Sequence, residues 1–204
     1  MKKFLKPTCL AAALLSPFGA QAGILNFIDL ANLAEAGYST LNLSVGGANV
    51  AITGSATNDN DAYQYAYLDA GAGGLGVCKD LSTSSQCVPN NDDNVTIGET
   101  LSFMFDRDVT IQNFWFNNNH DGGLGTGDMV TIDGSPYSMA LGVVGGANGI
   151  GPFTVAAGHT LSVAFNNEQF YISAMEATSV PEPATLGLLG LGLLGLALRS
   201  RRNA

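Results

Sequence analysis

Turn-forming residues interrupt this sequence at short intervals, which limits each segment of regular structure to a few residues. The chain has 26 glycines among its 204 residues, and clusters of Asn and Asp recur between its apolar runs. Gly, Asn and Asp favour tight turns because they accept backbone conformations that other residues avoid. The spacing therefore predicts many short elements joined by turns, which is typical of an all-β protein.

The runs between these turns alternate apolar and polar residues, as strands with one buried face do. Alternation is found at Leu101, Phe103 and Phe105, at Val109 and Ile111 leading to residues 114–116, at Leu161, Val163 and Phe165, and at Phe170, Ile172 and Ala174. The sequence also predicts two hairpin-type turns. One is Gly46-Gly47, between runs 41–45 and 49–53, and the other is residues 133–136, between runs 129–132 and 137–141. Only residues 24–36 have a helical pattern within the body. We therefore expect one all-β domain at residues 23–178, a jelly-roll-like β-sandwich.

The first 22 residues have the three parts of a secretory signal peptide. Lys2, Lys3 and Lys6 are positive, residues 10–15 are apolar, and Ala20-Gln21-Ala22 is an A-x-A cleavage site. The apolar part is shorter than the roughly 20 residues that a bilayer-spanning helix needs. We expect export through the Sec translocon and removal of residues 1–22 by signal peptidase.

The body of the chain is strongly acidic. All seventeen Asp and Glu residues lie between Asp29 and Glu182, whereas Lys79 and Arg107 are the only basic residues between Gly23 and Glu182. Two bases against seventeen acids give this region a formal charge of −15. Nucleic acids and anionic lipids bind basic patches, so we expect neither as a partner of the body. The charge favours solubility and the binding of divalent cations.

Two cysteines, Cys78 and Cys87, remain after cleavage of the signal peptide, which contains Cys9. An even number of cysteines in an exported protein predicts a disulfide. Zinc binding is the alternative, but a structural zinc site has four ligands and no histidine lies near these cysteines in the sequence. Closing so short a loop stabilises a fold by roughly 2.6 kcal/mol in the chain-entropy model.

Three loops rich in Asn and Asp offer the oxygen ligands that calcium prefers. They are residues 58–61, 90–94 and 117–123. The same residues also form ordinary solvated turns, so each loop has a second explanation. Asp92, Asp93 and Asn94, beside the predicted disulfide, are the first candidates for a calcium site.

The sequence offers few residues for catalysis. Its two histidines, His120 and His159, lie outside any H-E-x-x-H pattern, and the sequence has no G-x-S-x-G elbow or P-loop. Two carboxylates at the right separation could still hydrolyse a glycoside, but a sequence does not give that distance. We therefore expect a non-catalytic protein, with a secreted glycoside hydrolase as the alternative.

The single tryptophan, Trp115, lies between Phe114 and Phe116 in a predicted strand. Neighbouring residues of a strand point to opposite faces, so Trp115 faces outward if the two phenylalanines face the core. An outward tryptophan could stack on a sugar ring, which makes Trp115 the candidate carbohydrate-binding residue. The alternative is a structural tryptophan that covers the second sheet.

The carboxyl terminus contains an uncharged segment, residues 184–198, in which ten of fifteen residues are Leu or Ala. As a helix it would be about 22 Å long, which is short for a bilayer core of about 30 Å. Arg199, Arg201 and Arg202 follow directly and would stay cytoplasmic under the positive-inside rule. The pattern predicts a membrane segment that leaves the body on the opposite side of the membrane.

The carboxyl terminus has three parts in order: Val180-Pro181-Glu182-Pro183-Ala184, the apolar segment 184–198 and the basic tail 199–202. Together they resemble the PEP-CTERM protein-sorting signal of Gram-negative bacteria. The resemblance covers residues 179–204 and includes all three parts in order. It implies transient anchoring in the inner membrane and cleavage by an exosortase at or near residues 181–183. It also implies onward transport to the cell surface or into an exopolysaccharide matrix.

The body has a weaker resemblance to a recurrent β-rich body of PEP-CTERM proteins. It is carried by residues 67–78, Cys87, and residues 92–96, 98–101, 105–116 and 169–173. This resemblance supports the fold and implies no chemistry. We expect an exported, non-catalytic surface or matrix protein, with a carbohydrate-binding or calcium-stabilised adhesion module as the alternative.

Overall fold

The computed structural model describes residues 22–57, 64–142 and 144–180, which form one short helix and fifteen strands. The first eight strands are β1 (Ala22–Asn26), β2 (Ala36–Tyr38), β3 (Leu41–Val45), β4 (Ala48–Ala56), β5 (Tyr65–Asp69), β6 (Gly74–Cys78), β7 (Asp80–Leu81) and β8 (Cys87–Val88), and helix α1 is Phe27–Leu33. The others are β9 (Glu99–Phe105), β10 (Val109–Asn117), β11 (Met129–Ile132), β12 (Ser135–Ser138), β13 (Phe153–Val155), β14 (Thr160–Phe165) and β15 (Tyr171–Ser179). Residues Gln21–Val180 form one compact unit.

Two antiparallel sheets enclose a common hydrophobic core. The first sheet has the order β13-β10-β15-β6-β5-β2, with β1 also paired to β15. The second has the order β12-β11-β14-β9-β4-β3, and β7 pairs only with β8. Most connections cross from one sheet to the other, as expected of a jelly-roll-like arrangement. The predicted all-β sandwich is confirmed.

The predicted alternation of apolar residues forms the core between the sheets. Along β9, Leu101, Phe103 and Phe105 are buried, whereas Met104 points outward and is 47% exposed. From the opposite sheet, the ring of Phe114 packs against Phe103 with centroids 5.4 Å apart. Each such side chain stabilises the fold by about 1.5–3 kcal/mol through burial alone.

Both predicted hairpins are present, because their turn residues adopt the required backbone conformation. Gly46 and Gly47, between β3 and β4, have φ of 56° and 80°. Asp133 and Gly134, between β11 and β12, have φ of 46° and 76°. Positive φ at both central residues is the geometry of a type I′ turn, whose twist matches that of the flanking strands.

The second hairpin is tighter than the sequence indicated. Strand β12 begins at Ser135, two residues before the expected start at Tyr137, and Pro136 lies within it opposite Thr131. Proline cannot donate a backbone hydrogen bond, so it is tolerated at the edge of a sheet. Strand β12 is such an edge strand.

The helix predicted at residues 24–36 is wrong in extent, since α1 begins only at Phe27. Asn26 caps the helix, and its side chain accepts a hydrogen bond from the backbone N–H of Asp29. The residues before Asn26 instead pair with β15, where Ile24 lies opposite Glu176. Pairing with a long central strand outweighs the weak helical preference of so short a segment.

Strand β15 lies at the centre of the first sheet and leads to the end of the described chain. It pairs with β10 along one edge and with β1 and β6 along the other. Beyond this pairing, the N–H of Ser179 donates to the Gly46 carbonyl at 3.0 Å, and the N–H of Val180 donates to the Asp108 carbonyl at 2.9 Å. The chain is therefore attached to the fold as far as Val180.

Candidate functional site

The predicted sorting residues begin where the described chain ends. Val180 is described, whereas Pro181, Glu182, Pro183, the segment 184–198, Arg199, Arg201 and Arg202 lie outside the described residues. Residues 1–21 of the predicted signal peptide also lie outside them. Within residues 22–57, 64–142 and 144–180, the structure has no helix with the length and apolar character to cross a membrane.

Cys78 and Cys87 form the predicted disulfide, with Cα atoms 5.8 Å apart. The bond joins the end of β6 to β8, and Tyr67 and Leu81 pack against it. The Tyr67 hydroxyl donates to Oε1 of Glu35 at 2.7 Å. The disulfide thus fixes the short β7–β8 hairpin beside the segment that follows α1.

Four ionisable side chains from separate segments meet in what we call the polar cluster: Asp69, Asp93, His120 and Tyr171. The hydroxyl of Tyr171, at the start of β15, donates to Oδ1 of Asp93. Nδ1 of His120 lies 2.8 Å from Oδ2 of Asp69, and its Nε2 lies 2.8 Å from the Gly71 carbonyl. The first contact is an ion pair without hydrogen-bond geometry, because Oδ2 of Asp69 accepts no hydrogen bond among the described residues.

Burial governs the protonation of the polar cluster, since Asp69, Asp93 and Tyr171 are only 6%, 9% and 0% exposed. Burial and the neighbouring charge of Asp93 raise the pKa of Asp69 to about 6. Burial also raises the pKa of Asp93, against the opposing effect of the Tyr171 hydrogen bond. Burial and the hydrogen bond to Asp93 raise the pKa of Tyr171, so its hydroxyl keeps the proton that it donates.

His120 is the basic side chain of the polar cluster. The hydrogen bond to the Gly71 carbonyl, and then the charges of Asp69 and Asp93, raise the pKa of its imidazole. Both ring nitrogens lie 2.8 Å from an oxygen atom, and only the doubly protonated imidazolium carries a proton on each nitrogen. One imidazole thus faces two buried carboxylates, so the polar cluster has more acidic groups than basic ones. Binding a proton reduces this excess of negative charge and is therefore favourable.

Raised pKa values and buried carboxylates are found at catalytic sites, but structural networks have them as well. In the polar cluster the polar groups face one another, and the loop that carries Asp93 packs directly on β6. A Cβ at Gly76 would lie 1.9 Å from the Asp93 carbonyl oxygen, so only glycine permits this approach. The arrangement fixes loops at one end of the first sheet.

Two of the three loops considered for calcium lie side by side. Nδ2 of Asn94 donates to Oδ2 of Asp121 at 2.9 Å, which joins loop 90–94 to loop 117–123. Oδ1 of Asn94 and Oδ1 of Asn118 are buried without a hydrogen-bond partner among the described residues. The third loop, at residues 58–61, lies outside the described part of the chain.

The predicted calcium ligands Asp92, Asp93 and Asn94 do not form a recognisable metal centre. The Asp93 carboxylate already accepts the Tyr171 hydroxyl. Over the residues that the structure describes, no three or more His, Cys, Asp or Glu side chains are grouped so that they could hold a metal ion. Calcium binding at these residues stays a prediction.

Trp115 faces away from the core, as the alternation predicts, but it is not a sugar-stacking platform. It is 1% exposed, and its indole N–H donates to the Gly146 carbonyl at 3.2 Å. A Cβ at Gly142 would lie 2.8 Å from Cδ1 of Trp115, so the chain after β12 covers the ring. The candidate carbohydrate-binding residue is therefore structural, and a loop covers it in place of the second sheet.

A groove of about 810 Å³ lies on the outer face of the second sheet. Ala51 and Met104 contribute apolar surface, and Asn42, Asn49 and Asp106 add polar groups. The alternation that buries Phe103 turns Met104 outward into this groove. No feature of the sequence indicated the groove, because it depends on the pairing of β3, β4 and β9.

Comparison with known proteins identifies the carboxyl terminus of this exported β-sandwich. The family model of the PEP-CTERM protein-sorting motif matches residues 179–202. The chain therefore carries this sorting signal, which marks an exported protein processed by an exosortase. No curated protein and no solved structure matches the chain.

Proposed function

We propose that the mature protein is a non-catalytic component of the cell surface or of an exopolysaccharide matrix. The sorting signal supports the route, with transient inner-membrane anchoring and exosortase processing before release. The single observation that supports a non-catalytic body is the burial of the two carboxylates of the polar cluster. Asp69 and Asp93 are at most 9% exposed, so a substrate has little access to this carboxylate pair, and only the His120 side chain beside them is open to solvent, at 34% exposure.

The sorting route is tested by following the full-length protein in cells with and without exosortase. We expect the extracellular protein to lack residues 186–204 and to begin after Ala22. In cells without exosortase the protein should stay in the inner membrane. Intact-mass analysis that found Arg202 in the released protein would contradict exosortase processing.

The non-catalytic role is tested by incubating the released protein with polysaccharide from the host. We expect no turnover and no change in matrix association for Asp69→Asn or Asp93→Asn protein that remains folded. Hydrolysis by the wild-type protein that either substitution abolishes would instead identify the body as a glycoside hydrolase.

A calcium-stabilised adhesion module is the second candidate function. It is favoured by the unpartnered buried oxygens of Asn94 and Asn118 in two adjacent Asn- and Asp-rich loops, because calcium binds such amide oxygens. Millimolar calcium should then raise the melting temperature of the wild-type protein but not that of Asn94→Ala protein. An equal melting temperature in calcium and in a chelator would exclude this role.

A further inference from the structure

The sorting motif follows the fold without a spacer. Ser179 and Val180 are held by hydrogen bonds to Gly46 and Asp108, and Pro181 is the next residue. Ala184, where the predicted membrane segment begins, is four residues beyond Val180. Four extended residues reach at most about 14 Å. A protease that cleaves within this stretch must therefore work beside the end of the sandwich from which Val180 emerges.

We call this end of the sandwich the motif-end surface. It consists of the Gly46-Gly47 turn, the corner at residues 106–108 between β9 and β10, and the turn at residues 157–158 before β14. Backbone hydrogen bonds connect the first two segments to Ser179 and Val180, and the N–H of Gly158 donates at 2.9 Å to the carbonyl of Phe105, the residue before the corner.

Side chains hold the motif-end surface in a fixed shape. The Asp106 carboxylate accepts two hydrogen bonds from Asn49, one from the backbone N–H and one from Nδ2, both at 2.8 Å. Oδ1 of Asp108 accepts the N–H of Ala157 at 2.8 Å. A partner that binds here meets a preorganised surface, so little ordering of the protein opposes the association.

The groove on the second sheet adjoins the motif-end surface, because Asp106 and Gly158 belong to both. Its apolar groups, notably the 47% exposed Met104, are surrounded by polar side chains. Protein interfaces have this composition, with an apolar anchor in a central pocket and a polar rim. Its position beside the exit of the sorting motif points to the enzyme that processes the motif.

We propose that exosortase docks on the motif-end surface during processing and places an apolar side chain in the adjoining groove. This docking depends on the exosortase route of the proposed function, and it adds a recognition element outside the sorting signal. The folded body then takes part in presenting the motif to the enzyme.

Site-specific photo-crosslinking in the full-length chain tests the contact. A photoreactive amino acid is placed at position 104, and a matched control is placed at position 100, which lies on the same face of β9 at its other end. With an inactive exosortase that retains its substrate, position 104 should form an adduct with exosortase and position 100 should not. Adducts at position 104 with only lipid or a second copy of the chain would overturn the proposal.

Processing kinetics give a second test that does not depend on crosslinking. Met104→Glu places a charge in the groove, whereas Thr100→Glu places the same charge outside it on the same strand. We expect Met104→Glu to slow conversion of precursor to processed protein at least fivefold, while Thr100→Glu converts at the wild-type rate and both keep the wild-type melting temperature. A wild-type rate for Met104→Glu would refute docking, whereas a wild-type precursor that is never converted would refute the proposed function itself.

Discussion

The hydroxyl of Tyr171 donates a hydrogen bond to the carboxylate of Asp93 within the protein interior, where the two residues are 0% and 9% exposed. This bond connects the central strand β15 to the loop before β9. Because burial and the bond to Asp93 raise the pKa of Tyr171, its hydroxyl keeps its proton and donates to the Asp93 carboxylate. The pair thus fixes a loop and also couples its position to the charge of Asp93.

We expect Tyr171→Phe to lower the free energy of unfolding by about 1.5–3 kcal/mol at pH 8, because the buried carboxylate loses its donor. At pH 4 the loss should be smaller, since more of Asp93 is then protonated. Urea unfolding at pH 8 and at pH 4 measures the loss of unfolding free energy at each pH. Tyr137→Phe is the matched control, because that ring packs edge-on against Phe153 on the other sheet and should tolerate the loss of its hydroxyl. Equal losses for the two variants would show that the bond to Asp93 contributes nothing.

The polar cluster should make the fold more stable in mild acid than in mild base. The pKa of Asp69 is about 6 in the folded protein, against an ordinary value of 3.8. The folded state therefore holds this proton more tightly, so the contribution of Asp69 to stability is complete below about pH 4 and is lost as the pH rises through about 6. His120, whose pKa is raised as well, loses its contribution as the pH rises above about 6.5. Asp69 alone accounts for up to about 3 kcal/mol, since one pKa unit corresponds to about 1.4 kcal/mol.

Replacement of Asp69 tests this pH dependence directly. We expect Asp69→Asn to be more stable than the wild type at pH 8 and to show a flatter profile between pH 4 and pH 7. Asp80→Asn removes an exposed carboxylate and should keep the wild-type profile. Thermal unfolding of the three proteins across this range gives the comparison. A profile for Asp69→Asn as steep as that of the wild type would place the titrating group elsewhere.

The features that were predictable from the sequence are those that neighbouring residues determine. Gly46-Gly47 and Asp133-Gly134 identify their hairpins because the turn conformation depends on these residues themselves. Alternation likewise placed Phe103 in the core and Trp115 on the opposite face from Phe114. It did not show that Trp115 is covered, because the covering chain around Gly142 and Gly146 is irregular and has no periodic pattern.

The polar cluster could not be predicted because its members come from four segments that only the strand order brings together. Asp69 ends β5 and pairs with Gly74 of β6, and β6 in turn pairs with β15 through Leu75 and Ile172. Such long-range pairing, which brings Asp69 towards Tyr171, is not encoded locally. Asp93 and His120 were each noticed in a polar loop, but turn chemistry explained both loops equally well. The outward Met104 likewise became significant only once the neighbouring strands defined a groove.

Loss of the disulfide should lower the free energy of unfolding by about 2–3 kcal/mol. Cys78 and Cys87 are nine positions apart, and cross-linking so short a loop removes a modest amount of chain entropy from the unfolded state. The double variant Cys78→Ser/Cys87→Ser measures this effect in urea without exposure to reductant. Reductant should destabilise the wild type by a similar amount and leave the double variant unchanged. Destabilisation of the double variant by reductant would mean that the effect of reductant does not come from the bond between Cys78 and Cys87.

Gly76 should be difficult to replace, because the loop with Asp93 and Asn94 lies directly against its backbone. The Cβ of Gly76→Ala would lie 1.9 Å from the Asp93 carbonyl oxygen and 2.8 Å from Cα of Asn94, so the backbone of the loop must move. We expect a loss of at least about 2 kcal/mol in urea unfolding, as for an overpacked core. We also expect the pKa of His120 to fall towards its ordinary value by NMR titration. Gly125→Ala is the matched control, because the nearest atom to its Cβ is Oδ2 of Asp128 at 3.7 Å and an added methyl group fits there. If the two alanine variants proved equally stable, the close contact between β6 and this loop would have no part in holding the polar cluster together.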